Sequence, residues 1–444
     1  MLRADLACRL VTPDDDGWEA VRSARLLTVD QQPAAVVEVA GVADVQAVLR
    51  FAAAHDLTVA AQPGGHGASR ALDGAILVRT GALDELTVDP AAQVARVGAG
   101  VKRGRPLDAL DGSGLVGLVG SNPDVSVVGF LLGGGLSWFG RRHGLAAHCL
   151  RAVELVDATG VHRRVTDESD PDLMWALRGG GGDFGVVTAV EIDLHPAPEI
   201  YGGKLMFPIE DARPVLRAFA ATSRQAPDEL TLWASLMHFP PAPFLPEPIR
   251  GKSFATVDAM FLGAVEPAEA LLAPIRAAGT VLQDTTSVLS AGQLGGVAQE
   301  PTDPTPGLDA SALMPGFDDA VIDRILELAG DASRTPVMGV QVRHLGGALA
   351  RDVSGNAVAH RIEHEYLLFA LGIAPAVPAV AAGLAEVRAG LAAYTVDQTA
   401  FTFLSAHEGA ERAYAPDRLQ KLQPVKRAVD PDTRIRGNHP VLGS

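Results

Sequence analysis

Short apolar stretches with a two-residue period recur along the first part of the chain, before the proline-rich segment at 195–198. Their alternation and their β-branched residues predict strands at 34–39, 57–61, 75–78, 86–88, 93–97, 152–156 and 186–194. A helical period over Val42–His55, with Asp44 in the first turn, predicts an amphipathic helix between the first two strands. Shorter helices are predicted at 107–110 and 172–177. This spacing indicates a mixed sheet rather than a regular doubly wound one.

The pattern changes after residue 198, where the apolar stretches become longer. Alternation predicts strands at 230–237, 254–261, 336–344 and 363–372. Helical periods predict helices before, between and after them at 211–221, 267–277, 318–328 and 376–394. Such an order is typical of an antiparallel sheet covered by helices, so the chain is expected to be α+β with a second domain here. A basic amphipathic helix is predicted near the end, at 416–428.

Composition narrows the function classes. With 444 residues the chain exceeds what one hydrophobic core usually supports, so we expect two or three domains. A net charge of −16 argues against nucleic acid and anionic membranes as partners. Cys8 and Cys149 are the two cysteines, and they predict no disulfide framework. We find no signal peptide, no apolar run near the roughly 18 residues of a membrane span, and no metal-ligand motif, and therefore expect a cytoplasmic protein.

The segment Ala61–Gly67 is the most informative chemical motif. It places Pro63, Gly64, Gly65, His66 and Gly67 directly after a predicted strand. Paired glycines let backbone N–H groups approach an anion, and His66 would then lie beside the molecule that carries the anion. Taken alone, the segment is explained equally well by a surface turn with an unrelated histidine.

Three glycine clusters, at 64–67, 133–135 and 179–185, lie in the first part of the chain. None is a dinucleotide fingerprint, because that motif opens a helix after a strand, whereas the cluster at 179–185 follows a helix and precedes a strand. A phosphate loop with Gly-Lys-Ser/Thr is also missing from the sequence. Each cluster alone is explained by turns and close strand packing. Together, with His66 in one of them, they indicate a ligand site.

The joint pattern resembles the berberine-bridge-enzyme-like branch of the vanillyl-alcohol-oxidase flavoprotein family. The matching segments are 63–66, 125–135 with 141–145, 172–188 and 422–440, so that the resemblance covers essentially the whole chain. It implies a PCMH-type FAD-binding fold built from residues 1–198 and 398–444. A substrate domain, residues 199–397, would be inserted between the two parts.

The resemblance also implies where FAD binds. The backbone groups implied to hold its pyrophosphate belong to Pro63, Gly64, Gly65, His66 and Gly67 and to Ser126, Gly129, Gly133, Gly134 and Gly135. His66 would bond covalently to the 8α-methyl carbon, Val187 would meet the adenine, and Asn438 would approach the polar edge of the ring. Bicovalent relatives carry a cysteine where this chain has Asn122, so no cysteinyl link is expected. Asn122 would hydrogen-bond flavin or substrate, or simply cap its loop.

Catalytic residues are less clearly marked. Many relatives use a tyrosine where this chain has Phe401-Thr402-Phe403, and where plant relatives carry a glutamate this chain offers Arg351 or Asp352. Gln341 and Arg343 share one face of a predicted strand and are the first pocket candidates, although an ordinary strand position is as good an explanation for each. The remaining candidates are Tyr366 as a phenol and, with a structural role more expected, His238 and His439.

The resemblance implies an FAD-dependent oxidoreductase, most simply an oxidase that passes electrons to O₂ and releases H₂O₂. Its substrate would be an alcohol, an amine or a polyketide- or alkaloid-like small molecule of secondary metabolism. With Arg343 at the flavin and no clear base, the substrate would be anionic or enolised, and oxidation could drive cyclisation. Three alternatives stay open: a dehydrogenase with another acceptor, a cyclase or binder with structural FAD, and a globular protein with coincidental glycine turns. The oligomeric state is also open.

Overall fold

The computed structural model describes residues 6–243, 245–351, 356–373 and 377–443. Its first sheet has the order β1-β2-β4-β3, with β2, β4 and β3 parallel and β1 antiparallel at the edge. The strands are β1 (Arg9–Val11), β2 (Ala35–Glu38), β3 (Val59–Ala61) and β4 (Ile76–Arg79). Helix α1 (Trp18–Arg22) follows β1, and α2 (Val42–His55) has the bounds that its apolar period predicts.

A second sheet, antiparallel throughout, has the order β5-β6-β10-β8-β9. Its strands, with the short pair β7 and β11, are β5 (Leu86–Asp89), β6 (Val94–Gly98), β7 (Leu115–Val116), β8 (Leu150–Val156), β9 (His162–Val165), β10 (Val186–Asp193) and β11 (His195–Pro196). The helices between them are α3 (Gly104–Ala109), α4 (Val127–Leu132), α5 (Gly140–His143) and α6 (Pro171–Leu177). The expectation of one mixed sheet is therefore only partly met, because the strands form two sheets and only the first is mixed.

The third sheet is a large antiparallel one with the order β15-β12-β14-β13-β18-β19-β17, and β16 also pairs with β12. Its strands are β12 (Ile200–Pro208), β13 (Leu230–His238), β14 (Ser253–Leu262), β15 (Gln283–Asp284), β16 (Ser287–Val288), β17 (Gly307–Met314), β18 (Gly339–His344) and β19 (Tyr366–Ile373). Helices α7 (Ala212–Gln225), α8 (Val265–Arg276), α9 (Asp319–Ala329) and α10 (Val377–Gly390) pack on one face. The expected α+β class is confirmed, while the domain boundaries at 198/199 and 397/398 stay a prediction.

The two faces of this sheet differ in chemistry. The face under the helices is apolar and includes Leu232, Val257 and Val342. The opposite face carries a row in which Lys204 pairs with Asp258, Asp258 with Trp233, and Trp233 with Arg343 across adjacent strands; Lys204 is half-buried and the other three are buried. Trp233 packs into the core that contains α4 and the second sheet. The polar face is therefore turned towards the part of the molecule that carries the glycine clusters.

The end of the chain returns to the first sheet. After α11 (Pro416–Val429), Ile435 forms a parallel bridge with Val59 at the start of β3. The Val59 N–H donates to the Arg434 carbonyl at 2.7 Å, and the Arg436 N–H donates to the Val59 carbonyl at 2.9 Å. The C-terminal segment thus lies beside the strand that leads into the His66 turn. No helix in the described ranges is both long enough and apolar enough to cross a bilayer.

Candidate active site

The turn that carries His66 has one shape that only glycine allows. Gly65 has a φ of +81°, and a Cβ added to it would lie 2.8 Å from the Ala24 Cβ. The carbonyls of Gly64 and Gly65 accept hydrogen bonds from the N–H groups of Arg25 and Leu26, at 3.0 and 3.3 Å. The segment after α1 therefore fixes the turn from outside.

The N–H groups of this turn are available for a ligand. Within the described residues, those of Gly64, Gly65, His66 and Gly67 donate to no acceptor. Pro63 has no N–H, so the expectation that its backbone binds phosphate is wrong, and its part is to shape the turn. A run of free N–H groups forms a concave anion site, which suits the pyrophosphate of FAD.

His66 is held as a neutral imidazole. Its Nε2 atom is buried and has no hydrogen-bond partner in the described part of the chain. The nearest carboxylate oxygen, Asp124 Oδ2, lies 3.7 Å from Nε2, and Asp124 Oδ1 accepts from Lys102 Nζ at 2.5 Å. Burial lowers the pKa of His66 to about 3, helped by Arg25 and Arg103 and opposed by Asp124. The ring thus keeps a free lone pair across the physiological pH range.

Helix α4 begins beside this turn with Ser126 as its N-cap, because the Ser126 Oγ accepts from the Gly129 N–H at 3.3 Å. The Gly133 N–H donates to the Gly129 carbonyl and the Gly134 N–H to the Leu131 carbonyl, which completes the helix end. The N–H groups of Gly129, Gly133 and Gly134 are thus bonded within the helix and its end, and their part in holding pyrophosphate stays a prediction. Those of Ser126 and Gly135 donate to no acceptor among the described residues.

The glycines after α4 serve close packing instead. A Cβ on Gly133 would lie 3.0 Å from the Thr402 Cγ2, and one on Gly135 would lie 2.7 Å from the Ala146 Cβ. Gly181, in the third cluster, would place a Cβ 2.9 Å from the Phe401 ring. The glycine clusters bring the 401–403 turn against the site.

Asn438 lies next to the His66 turn. Its carbonyl accepts a hydrogen bond from the Ser69 Oγ, three residues beyond His66. Its side-chain Oδ1 is buried with no donor in the described residues. A buried amide oxygen without a donor costs about 1–3 kcal/mol, which favours a ligand N–H or O–H at this position. Val187 lies in the β10–β8 ladder opposite Leu155, and its contact with adenine stays a prediction.

Gln341 and Arg343 lie together on the polar face of the third sheet. Gln341 Nε2 donates to the Ser235 Oγ at 3.0 Å, and Arg343 Nε donates to the Gln341 Oε1 at 2.6 Å. The guanidinium carbon lies 3.7 Å from the Trp233 ring centroid and 4.7 Å from that of Phe403. Phe403 occupies the region where relatives carry the tyrosine motif, so this aromatic ring now covers the arginine.

Arg343 is a buried cation whose terminal N–H groups donate to no acceptor among the described residues. It is 5 % exposed, and no carboxylate of the described ranges pairs with it within 4.0 Å. Burial lowers its pKa to about 10, opposed by Glu300 and Asp258, so it stays charged at pH 7. A stacked guanidinium with free terminal N–H groups is suited to a planar anionic group.

Two charged groups near this row were missed from the sequence. Asp258 is 2 % exposed and pairs with Lys204 at 3.4 Å, and burial raises its pKa. Arg103 lies with its guanidinium 4.4 Å from the Phe130 ring centroid, and its Nε and Nη1 atoms have no partner among the described residues. The signal for Asp258 was a single charge in the middle of an apolar strand, because such a charge is rarely buried without a purpose.

Tyr366 is not a pocket phenol, and that prediction is wrong. It pairs with His344, on the face opposite Arg343, and its hydroxyl lies 2.8 Å from the Ser223 Oγ. Phe219 and Phe317 pack around it, and burial raises its pKa. The register between β18 and β19 places Leu367, not Tyr366, beside Arg343.

The other candidates have structural partners. Asn122 caps its loop, because its Oδ1 accepts from the Asp124 N–H at 2.9 Å and its Nδ2 donates to the Pro301 carbonyl at 3.0 Å. His238 bonds the Ser253 Oγ, and His439 bonds the Glu408 carbonyl. Arg351 forms an exposed ion pair with Asp228, and Asp352 lies outside the described residues.

Comparison with known proteins gives a consistent result. Residues 33–166 match the FAD binding domain family. The chain is 26 % identical to (R)-6-hydroxynicotine oxidase of Paenarthrobacter nicotinovorans over 452 residues, which covers 97 % of this chain and 95 % of that protein.

Solved structures share the whole fold. The structure of 6-hydroxy-D-nicotine oxidase from Arthrobacter nicotinovorans superposes with a TM-score of 0.83 at 23 % identity, covering 98 % of each chain. The BBE-like 1 protein of Physcomitrella patens superposes with a TM-score of 0.85 at 19 % identity, covering 99 % of each chain. The expected PCMH-type FAD-binding fold is confirmed.

Proposed function

We propose that this chain is an FAD-linked oxidoreductase of the berberine-bridge-enzyme-like type, and that it is an oxidase that reduces O₂ to H₂O₂. Its substrate is proposed to be a small alcohol, amine or polyketide- or alkaloid-like molecule of secondary metabolism. The name of the relative, 6-hydroxynicotine oxidase, supports the alkaloid-like amine among these. The observation that carries the proposal is the neutral imidazole of His66, whose Nε2 has no hydrogen-bond partner among the described residues, beside a turn whose N–H groups donate to none of them.

We assign the covalent link to His66. His66 would hold FAD through a bond from its neutral ring nitrogen to the 8α carbon, with one proton lost from that methyl group and one from the imidazole. Bound FAD would supply the two-electron acceptor for this step, with O₂ as the final oxidant. Asp124, 3.7 Å from Nε2, is placed to accept the imidazole proton. We expect no second link, because Asn122 stands where bicovalent relatives carry cysteine and the Cys149 Sγ contacts the His195 Nε2 at 3.1 Å.

Bound FAD supplies a hydride acceptor, and the protein orients the substrate towards it. Arg343 binds an anionic or enolised oxygen through its free N–H groups, while Gln341 fixes the guanidinium plane. Trp233 and Phe403 line the arginine and exclude water, which strengthens the charge interaction. Since Tyr366 lies on the other face of the sheet, a substrate that arrives already deprotonated fits this site best.

An anaerobic substrate screen tests the oxidase proposal. Purified holoenzyme is mixed with alkaloid-like amines, alcohols and enolisable phenols, and loss of the oxidised flavin absorbance is followed. We predict bleaching by members of the anionic or enolisable set, followed on admission of air by fast reoxidation and one H₂O₂ per substrate. Bleaching with slow reoxidation would identify a dehydrogenase. A flavin that dithionite reduces but no substrate does would indicate a structural cofactor.

A further inference from the structure

We propose that Asp183 is a positioning residue that holds the C-terminal segment, residues 434–441, against the FAD site and thereby aligns Asn438. The inference depends on FAD binding and not on the choice of electron acceptor. It concerns a carboxylate in the third glycine cluster that the oxidase proposal does not use.

The carboxylate of Asp183 bonds to both sides of Asn438. Its Oδ1 accepts from the Gly437 N–H at 2.5 Å, and its Oδ2 accepts from the Val441 N–H at 2.7 Å. Asp183 is 2 % exposed, so both bonds are shielded from water. Charge-assisted bonds of this kind are about twice as strong as neutral ones. One side chain therefore fixes the backbone on each side of the asparagine.

A buried lysine makes this charge tolerable. Lys426 Nζ donates to the Asp183 carbonyl at 2.7 Å, to the Asp430 Oδ2 at 2.6 Å and to the Ile435 carbonyl at 2.7 Å. Asp430 in turn accepts from the N–H groups of Arg434 and Ile435. Burial raises the pKa of Asp183, while Lys426 and the two backbone N–H groups oppose the rise. The network joins α11, the glycine cluster and the C-terminal segment.

The segment is fitted to this carboxylate. A Cβ on Gly437 would lie 2.8 Å from the Asp183 Oδ1, so glycine is required for the contact. From the other side, the Ser69 Oγ donates to the Asn438 carbonyl. These ties leave the buried Asn438 Oδ1 without a donor inside the described residues. We infer that its donor is an N–H or O–H of the flavin, and that the cost of the unpaired oxygen is recovered when FAD binds.

Asp183→Asn tests the idea, because an amide keeps the shape but has one acceptor oxygen for two N–H donors. Asp44→Asn is the matched control, since Asp44 is also buried and accepts from two backbone N–H groups, those of Ala7 and Ala40. Both changes are made in the His66→Ala chain so that FAD exchanges freely. The dissociation constant for FAD is measured from flavin fluorescence, together with the melting temperature.

We expect Asp183→Asn to weaken FAD binding about tenfold, the effect of one lost charge-assisted hydrogen bond. Asp44→Asn should lower the melting temperature and leave FAD affinity unchanged. Combined with Asn438→Ala, Asp183→Asn should add little to the loss caused by Asn438→Ala alone. Equal FAD affinity in the two aspartate variants, or full additivity with Asn438→Ala, overturns the inference. If Asp183→Asn does not fold, Lys426→Met must weaken FAD binding instead. Unchanged FAD affinity in Lys426→Met would also overturn the inference.

Discussion

Arg343 shows how a single residue sets the substrate preference. Its guanidinium carbon lies 3.7 Å from the Trp233 ring centroid and 4.7 Å from that of Phe403, and its Nε donates to Gln341, so the terminal N–H groups are the ones left for a ligand. Such a group loses little conformational entropy when it binds an anion. A lysine at the same position would be a point charge without the stacked plane.

We therefore expect Arg343→Met to lower kcat/KM for an anionic substrate about 100-fold, equivalent to roughly 3 kcal/mol. Arg343→Lys should recover only part of this loss. The measurement is the rate of anaerobic flavin bleaching against substrate concentration. The control is Arg351→Met, which removes an exposed arginine paired with Asp228. Similar kinetics in the Arg343 and Arg351 variants would show that Arg343 does not contact the substrate.

At this scale the sequence predicts features that depend on neighbouring residues and misses those that depend on contacts between distant segments. Period-two alternation placed Gln341 and Arg343 on one face correctly, because that information is local. It could not place Tyr366 relative to them, because the register between β18 and β19 depends on pairing across the sheet. Asn122 was left with two roles for the same reason, since its partner carbonyl belongs to Pro301, far along the chain.

At the scale of elements, the glycine positions explain how the site is assembled. Gly135 has a φ of +72°, and a Cβ there would also lie 2.7 Å from the Ala146 Cβ and 2.9 Å from the Phe130 Cε1. Gly74 has a similar φ of +75°, but a Cβ there would meet nothing within 4 Å. Substitutions at Gly74 and Gly135 can therefore be compared to separate the cost of backbone strain from the cost of overpacking.

Gly74→Ala and Gly135→Ala should each lower the free energy of unfolding by roughly 1–2 kcal/mol, because alanine is strained in the left-handed backbone region. Gly135→Ala should lower it by about 1–3 kcal/mol more because of overpacking, and should also bind FAD more weakly. The free energy of unfolding from urea titrations and the flavin content measure these effects. Equal losses in the two variants would mean that Ala146 and Phe130 move aside freely and that close packing after α4 is not needed.

Elements with a strong period were predicted well, and those without one were missed. Helix Val42–His55 could be predicted from its apolar stripe alone. Strand β12 was missed because Gly202 and Gly203 interrupt its alternation, although pairing with β14 stabilises it. Helix α4 consists of six consecutive apolar residues, a pattern that is equally typical of a buried strand. Its N-cap at Ser126 is the local feature that favours a helix over a strand.

At the scale of the whole molecule, several histidines are kept as neutral rings by full or partial burial. Burial and Arg141 lower the pKa of His344 to about 3, and burial and His195 lower that of His143 to about 4. In the unfolded chain these histidines bind protons below about pH 6.5, whereas in the folded chain they stay neutral until the pH approaches these lower values. Folding stability is therefore lost as the pH falls from 6.5 towards 3.

His344→Gln tests this linkage. A glutamine oxygen can still accept from Arg141 Nη1, which lies 3.0 Å from the His344 Nε2, but it does not titrate. Between pH 7 and pH 5, wild type should lose about 2 kcal/mol more stability than the variant, as measured by urea unfolding. The acidic net charge affects both proteins alike and cancels in the comparison. Parallel stability curves would show that His344 is not buried as a neutral ring.

The proposed function depends on His66 joining the cofactor to the chain. The most direct measurement is flavin fluorescence and peptide mass after the purified protein is denatured and freed of unbound FAD. We predict that flavin stays on the wild-type peptide that carries His66 and on the His143→Ala control, and that His66→Ala releases it completely. Flavin that persists on denatured His66→Ala, or that leaves wild type on denaturation, would contradict the account.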